Sequence, residues 1–84
     1  MIQLLGLARH RSRLEMISAM LEAAADESKP TEIMYRAYMS YEQFKEYLAL
    51  VTARKLLDYN STRKTYKITS TGKEFLVKSE KLRL

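Results

Sequence analysis

The chain has no cysteine and only one histidine. Disulfides, thiolate metal sites and cysteine nucleophiles are therefore excluded, and one imidazole cannot build a zinc centre without several carboxylates. Tryptophan is absent, and with only 2 glycines and 1 proline the composition argues against a disordered or low-complexity tract and for a helix-rich domain. No apolar run approaches the ~20 residues that a membrane span needs, and in residues 1–11 the basic side chains follow the apolar ones, the reverse of a signal peptide. A cytoplasmic protein with no membrane partner is expected. Phosphate loops and nucleophile elbows are also missing, and His10 stands in a basic arm without a partner. Glu42 and Glu46 share a helix face, but exposed neighbours do not make an acid–base pair without burial. Neither an enzyme nor a cofactor is expected.

What is present is 84 residues, about one domain, of which 46% are hydrophobic, enough for a core. Residues 1–11 read as an apolar and basic extension, and 12–84 as the folded domain. Lys and Arg number 15 against 10 Asp and Glu, a net charge of +5 that suggests an anionic partner. Its distribution says more. Arg9, Arg11 and Arg13 make the N-terminus basic, whereas Glu15, Glu22, Asp26 and Glu27 make the next segment acidic. After a balanced middle, Arg54, Lys55, Arg63, Lys64 and Lys67, then Lys73, Lys78, Lys81 and Arg83, return the excess to the last third. That asymmetry favours an electrostatic footprint for phosphates over a solvated surface.

Local patterns give the element order. Ser12-Arg13-Leu14-Glu15 matches a capping box and opens a first helix, about 13–25, whose Leu14, Ile17, Leu21 and Ala24 recur at helical spacing. Pro30 suits the first turn of a short second helix with Ile33, Met34 and Ala37 facing inward. Ser40-Tyr41-Glu42-Gln43 is a second capping box that restarts a helix after a turn of three or four residues. In this third helix Phe44, Leu48 and Val51 form the inner stripe, broadened by Tyr41 and Tyr47. Beyond Lys55 the pattern alternates: Leu56–Tyr59 and Thr65–Thr69 flank the polar turn Asn60–Lys64 and predict a β-hairpin with a basic tip. Thr69 or Ser70 then caps a last helix of about three turns through Gly72, Phe75, Leu76 and Leu82. Met1–Leu7 is apolar and stays open as an added strand, an extension of helix one or a dimer contact.

Helix, helix, tight turn, helix, basic hairpin, helix is the order of a mainly α (α+β) winged helix-turn-helix: a three-helix core, a hairpin wing and a C-terminal helix. The runs RSRLEMISAMLEAA, PTEIMYRAYMSYEQFKEYLALV and LLDYNSTRKTYKITSTGKEFL resemble the archaeal winged helix-turn-helix family that includes small, dimeric, chromatin-associated DNA-binding proteins. The resemblance runs from Arg11 to about Lys78 and is most specific at Leu14–Ile17, Ile33–Ala37 and Thr71–Leu76. It implies double-stranded DNA as partner and a role as transcriptional regulator or chromatin-like architectural protein in the nucleoid. The sequence departs from the family pattern at Tyr38, where Asn is usual, and at Lys55, where Gly is usual; both positions suit a left-handed backbone. Chromatin-type relatives also extend the last helix into a long antiparallel coiled coil, which fewer than about three heptads do not support. A homodimer would instead meet through the N-terminal segment, helix one, where Met16, Met20 and Ala23 form a second stripe, or the C-terminal helix.

In that frame the third helix enters the major groove, with Ser40, Tyr41, Gln43 and Lys45 as candidate base contacts. Gln43 can read adenine and Lys45 guanine or phosphate, while Glu42 and Glu46 leave the face nearly neutral. Arg63, Lys64 and Lys67 on the wing, with Arg11 and Arg13 beside helix one, are candidate phosphate contacts. Charged hairpin tips also serve solubility. Tyr35, Tyr47, Tyr59 and Tyr66 are expected as half-buried core residues, and Tyr38 and Tyr41 as ligand candidates at the turn. The alternative of another class is a protein-docking module that uses the acidic face of helix one and the apolar N-terminus.

Overall fold

Hydroxyl side chains start three of the helices. A computed structural model describes residues 11–82 and contains α1 (Arg13–Ala23), α2 (Pro30–Arg36), α3 (Tyr41–Ala53), β1 (Leu57–Asn60), β2 (Thr65–Ile68) and α4 (Ser70–Leu82). The expectations for Met1–Leu7, Arg9, His10 and Arg83 lie outside the described residues. Ser12 Oγ accepts from the Glu15 amide at 3.1 Å, and Glu15 Oε1 from the Ser12 amide at 2.9 Å. Ser40 and Gln43 make the same reciprocal pair at 3.2 and 3.1 Å, and Thr69 Oγ1 accepts from the Gly72 amide at 3.0 Å. Each box satisfies amides that the first turn leaves without helical partners. The winged helix-turn-helix arrangement read from the sequence is the one observed.

The core lies around α1, whose Met16, Met20, Leu21, Ala23 and Ala24 are buried against Ile33, Ala37 and Met39, Phe44, Tyr47 and Val51, and Leu56, Leu57 and Ile68. The Met16, Met20 and Ala23 stripe is interior: these methionines fill the core, the first of the two roles open to them, and do not form a subunit contact, because α2, α3 and α4 all pack on α1. Between α1 and α4, the small buried Ser18 and Ser79 meet hydroxyl to hydroxyl at 3.2 Å. Tyr47 is buried and Tyr66 half-buried, in line with a core role, but Tyr35 is 84% exposed and Tyr59 48%; Tyr41, at 63%, lies outside the inner stripe and is exposed at the turn. Tyr35 falls midway between the buried Ile33 of α2 and the buried Ala37 that caps it, and so points to the opposite side of the helix. Tyr41 is the first residue of α3, and Tyr59 lies on the part of the wing beyond the core.

Helix α1 stops at Ala23, earlier than its apolar pattern suggests, because the following residues pair with the wing. The Ala24 carbonyl accepts from the Ile68 amide at 2.9 Å, and Ser28 exchanges two backbone hydrogen bonds with Tyr66 at 2.9 and 2.8 Å. Ser28 thus adds a one-residue third strand to β1 and β2. Glu27, next to it, accepts from Thr65 Oγ1 at 2.6 Å, Arg63 Nη1 at 2.8 Å and Asn60 Nδ2 at 3.5 Å. The hydrogen bonds from Thr65 and Arg63, with the positive charges of Arg63 and Lys67, hold the Glu27 carboxyl below its ordinary 4.5.

Helices α2 and α3 end alike. The Met39 amide donates to the Met34 carbonyl and the Tyr38 amide to Tyr35; the Leu56 amide donates to Val51 and the Lys55 amide to Thr52. These are two Schellman motifs, each closed by a buried apolar residue, Met39 and Leu56. The motif needs a left-handed residue in between, and the chain supplies Tyr38 (φ 55°) and Lys55 (φ 60°). Gly72 does a different job: a Cβ there would collide with the Leu56 carbonyl oxygen and lie 2.6 Å from Ile68 Cγ1, so its lack of side chain lets α4 start against the wing's base.

Two stability predictions follow from these contacts. A left-handed L-residue costs ~1–2 kcal/mol, and glycine returns ~0.4–1 kcal/mol to the unfolded chain. Lys55→Gly is therefore expected to stabilise by about 0.5–1 kcal/mol, a rise of several degrees in a thermal melt followed by circular dichroism, whereas Lys55→Ala gives no such rise. Because folding lowers the Glu27 pKa, its contribution is present at neutral pH and is lost as pH falls through the folded value. Glu27→Gln should be less stable than the parent at pH 7, and the two unfolding midpoints should converge in acid.

Candidate nucleic-acid interface

The wing's register pairs Leu57 with Ile68 and Tyr59 with Tyr66, which puts these four residues on one face and Asp58, Asn60, Thr65 and Lys67 on the other. Leu57 and Ile68 root the first face in the core, while the Tyr59 and Tyr66 rings meet further out, with centroids 4.8 Å apart and planes at 45°. Burial pushes the Tyr66 phenol above its usual range. The loop between the strands is held by Asn60 Oδ1, which accepts from the Thr62 amide at 3.0 Å and the Arg63 amide at 3.1 Å, and is closed by Lys64 in the left-handed region (φ 57°). The wing is thus a set piece of backbone with three exposed cations.

Those cations are not equivalent. Arg63 is tied to Glu27, so part of its charge is already answered within the molecule. Lys64 and Lys67 are exposed and have no ion-pair partner among the described residues. The structure therefore brings the three wing candidates together and leaves Lys64 and Lys67 without an ion pair among the described residues, although the charge of Lys67 still acts on Glu27.

The first turns of α3 carry the candidate base contacts, and capping engages two of them. Ser40 Oγ and Gln43 Oε1 both accept within the capping box, which leaves the Gln43 side-chain amide nitrogen as the outward donor. The Lys45 ammonium lies 5.1 Å from the centre of the exposed Tyr41 ring, so a cation and an aromatic face sit together one turn into the helix. Glu42 and Glu46 are exposed on the same helix.

Arg11 and Arg13 separate in role. Arg11 Nη1 donates to the Ala37 carbonyl at 2.7 Å and the Tyr38 carbonyl at 3.3 Å, bracing the turn between α2 and α3 at the negative end of the α2 dipole. Arg13 is exposed, with its guanidinium 5.9 Å from the centre of the Tyr47 ring of α3. Sequence reasoning missed two positioning residues, Glu27 and Arg36. Arg36 Nη1 donates to Ser28 Oγ at 3.1 Å and the Ala23 carbonyl at 3.4 Å. Neither residue has a local motif, because their partners lie far along the chain.

Among the described residues no cluster of His, Asp and Glu could hold a metal ion, and no helix is long and apolar enough to cross a membrane. The winged helix-turn-helix family matches residues 10–84. Among solved structures, the chain is similar to Sso10a-2, a DNA-binding protein from Sulfolobus solfataricus, with a TM-score of 0.78 at 22% identity over 86% of this chain and 78% of that one. No curated protein sequence matches it. With its helix-turn-helix and Glu27-tethered hairpin in place, and with the family match spanning almost the whole length, the chain belongs to the winged helix-turn-helix family.

Proposed function

We propose that the chain binds double-stranded DNA, with the first turns of α3 in the major groove and Lys64 and Lys67 of the wing on backbone phosphates. The observation that carries this reading is the pair of exposed wing lysines without internal ion pairs, held on a loop of fixed geometry. The similarity to a DNA-binding protein supports it. Tyr41, Lys45 and the Gln43 amide nitrogen would face the base edges, Arg13 would add a phosphate contact, and Arg11 would hold the turn that sets the angle of α3. With Ser40 and Gln43 oxygens engaged in capping and Glu42 and Glu46 offsetting positive charge, few groups remain to discriminate bases. The reading therefore favours a nucleoid-associated architectural protein over an operator-specific regulator. Should a second copy join, α4 with its exposed Val77 is one described surface open to it.

Titrating a short labelled duplex at several salt concentrations tests the proposal. Lys64→Ala together with Lys67→Ala should weaken binding alike across sequences and flatten the log–log salt slope by about two units. Arg63→Ala should flatten it by less than one, because Glu27 already holds that charge. An architectural role further predicts a preference for any selected sequence below ~1000-fold over random DNA. If the double lysine variant leaves the slope unchanged, the wing has no part in DNA binding. The Arg63–Glu27 pair would then favour a protein-docking module.

A further inference from the structure

We propose that the cleft between the wing and the first turn of α2 binds an unpaired nucleotide of a single-stranded nucleic acid, with the base stacked on Tyr59 and the phosphates among Lys29, Lys64 and Arg63. The cleft has a volume of about 500 Å³ and is lined by Lys29, Pro30, Thr31, Tyr59, Arg63 and Lys64, with mostly apolar surface between the cations. It extends the nucleic-acid reading above to a second kind of strand and uses no residue of α3.

Three observations carry it. First, the Tyr59 ring is half exposed and rests on Tyr66 at 4.8 Å, so one aromatic residue props the other as a platform. Every base has a flat face to lay on such a ring, and aromatic platforms beside cations are how proteins hold single strands. Second, the apolar lining has no use for a duplex, whose bases are stacked on one another and whose outer surface is phosphate and sugar. An exposed base with its phosphate matches an apolar patch rimmed by cations.

Third, lysine stands at two lining positions where local structure favours something else. Lys29 is the N-cap of α2, a position that prefers Ser, Thr, Asp or Asn, and its side chain makes no capping hydrogen bond. Lys64 takes the left-handed conformation that suits Gly or Asn. Both departures deliver a cation to the same cleft. Neither lysine has an ion-pair partner among the described residues.

The test compares oligothymidylate, which does not pair with itself, with a duplex, using the full chain and fluorescence anisotropy. Wild-type protein should bind both. Tyr59→Ala should weaken oligothymidylate binding about tenfold and leave duplex affinity within about twofold, while Tyr59→Phe, which keeps the ring, should retain both. Lys29→Ser separates binding from folding, since it improves the α2 cap: it should melt no lower than wild type and still bind oligothymidylate several-fold more weakly. The proposal is overturned if wild-type protein binds duplex but not oligothymidylate. It is equally overturned if Tyr59→Ala leaves oligothymidylate binding intact or weakens both ligands alike, or if Lys29→Ser binds as wild type. Loss of both ligands in the wild type would instead remove the DNA reading as a whole.

Discussion

A two-stranded hairpin is marginal in water on its own, and the position of this wing depends on backbone bonds that it makes to the segment after α1. Ser28 exchanges both of its main-chain hydrogen bonds with Tyr66, and Ala24 accepts from Ile68. Removing these bonds would leave buried peptide groups unsatisfied at the centre of the fold. With them, the end of α1, the start of α2 and the hairpin become one unit. Arg36 completes it from α2 by donating to the Ser28 hydroxyl, itself buried and bonded to the Ala23 carbonyl at 3.2 Å. The cleft beside Tyr59 and the tether at Glu27 exist because this junction fixes the distance between the wing and α2.

The same junction sets the electrostatics of the wing. Glu27 gives the hairpin three side-chain contacts, but it also lowers the charge that Arg63 can offer outward. An exposed ion pair contributes little stability in general. Here the carboxylate also accepts from Thr65, whose side chain is largely shielded from solvent, so orientation rather than Coulomb energy is the main return. The wing is therefore held in one place by an acid, and Lys64 and Lys67 have no such ion pair among the described residues. On α3 the balance is similar: Lys45 sits over Tyr41, and Glu42 and Glu46 keep the helix from acting as a purely electrostatic surface.

Most of the fold was legible because its signals are local. Ser12 with Glu15 and Ser40 with Gln43 meet their partners three residues away, and the change from helical to alternating spacing after Lys55 marks the hairpin. Local reasoning failed where partners are distant. Arg11, a candidate phosphate contact by its place in a basic arm, also reaches the Ala37 carbonyl, 26 residues on, and Glu27, one charge in an acidic run, meets residues 33 to 38 positions away. Tyr35 and Tyr59 fell within apolar runs, yet in an α-helix the residue midway between two inward positions faces out, and a strand that leaves the core carries its aromatics with it. The grouping of Lys45 on Tyr41 could have been seen, since they are four residues apart on a helix.

Backbone strain needs to be sorted before it is read as function. Lys55, Tyr38 and Lys64 all lie in the left-handed region, so positive φ alone does not separate them. At Lys55 the Schellman geometry is demanded by the buried Leu56 that follows, and the lysine sits at the far end of α3 from Ser40; a cost of ~1–2 kcal/mol there is tolerated, not used. Tyr38 meets the same demand from Met39, but it is 85% exposed, beside the residues that open α3. Lys64 differs again, since its conformation closes the loop of the wing ahead of the buried Thr65, whose hydroxyl is bonded to Glu27, and ends no helix. Strain that lies where the chain must approach a ligand is the kind that a binding surface retains. By that standard Lys64 and Tyr38 lie on the surface proposed above for nucleic acid, and Lys55 belongs to the scaffold.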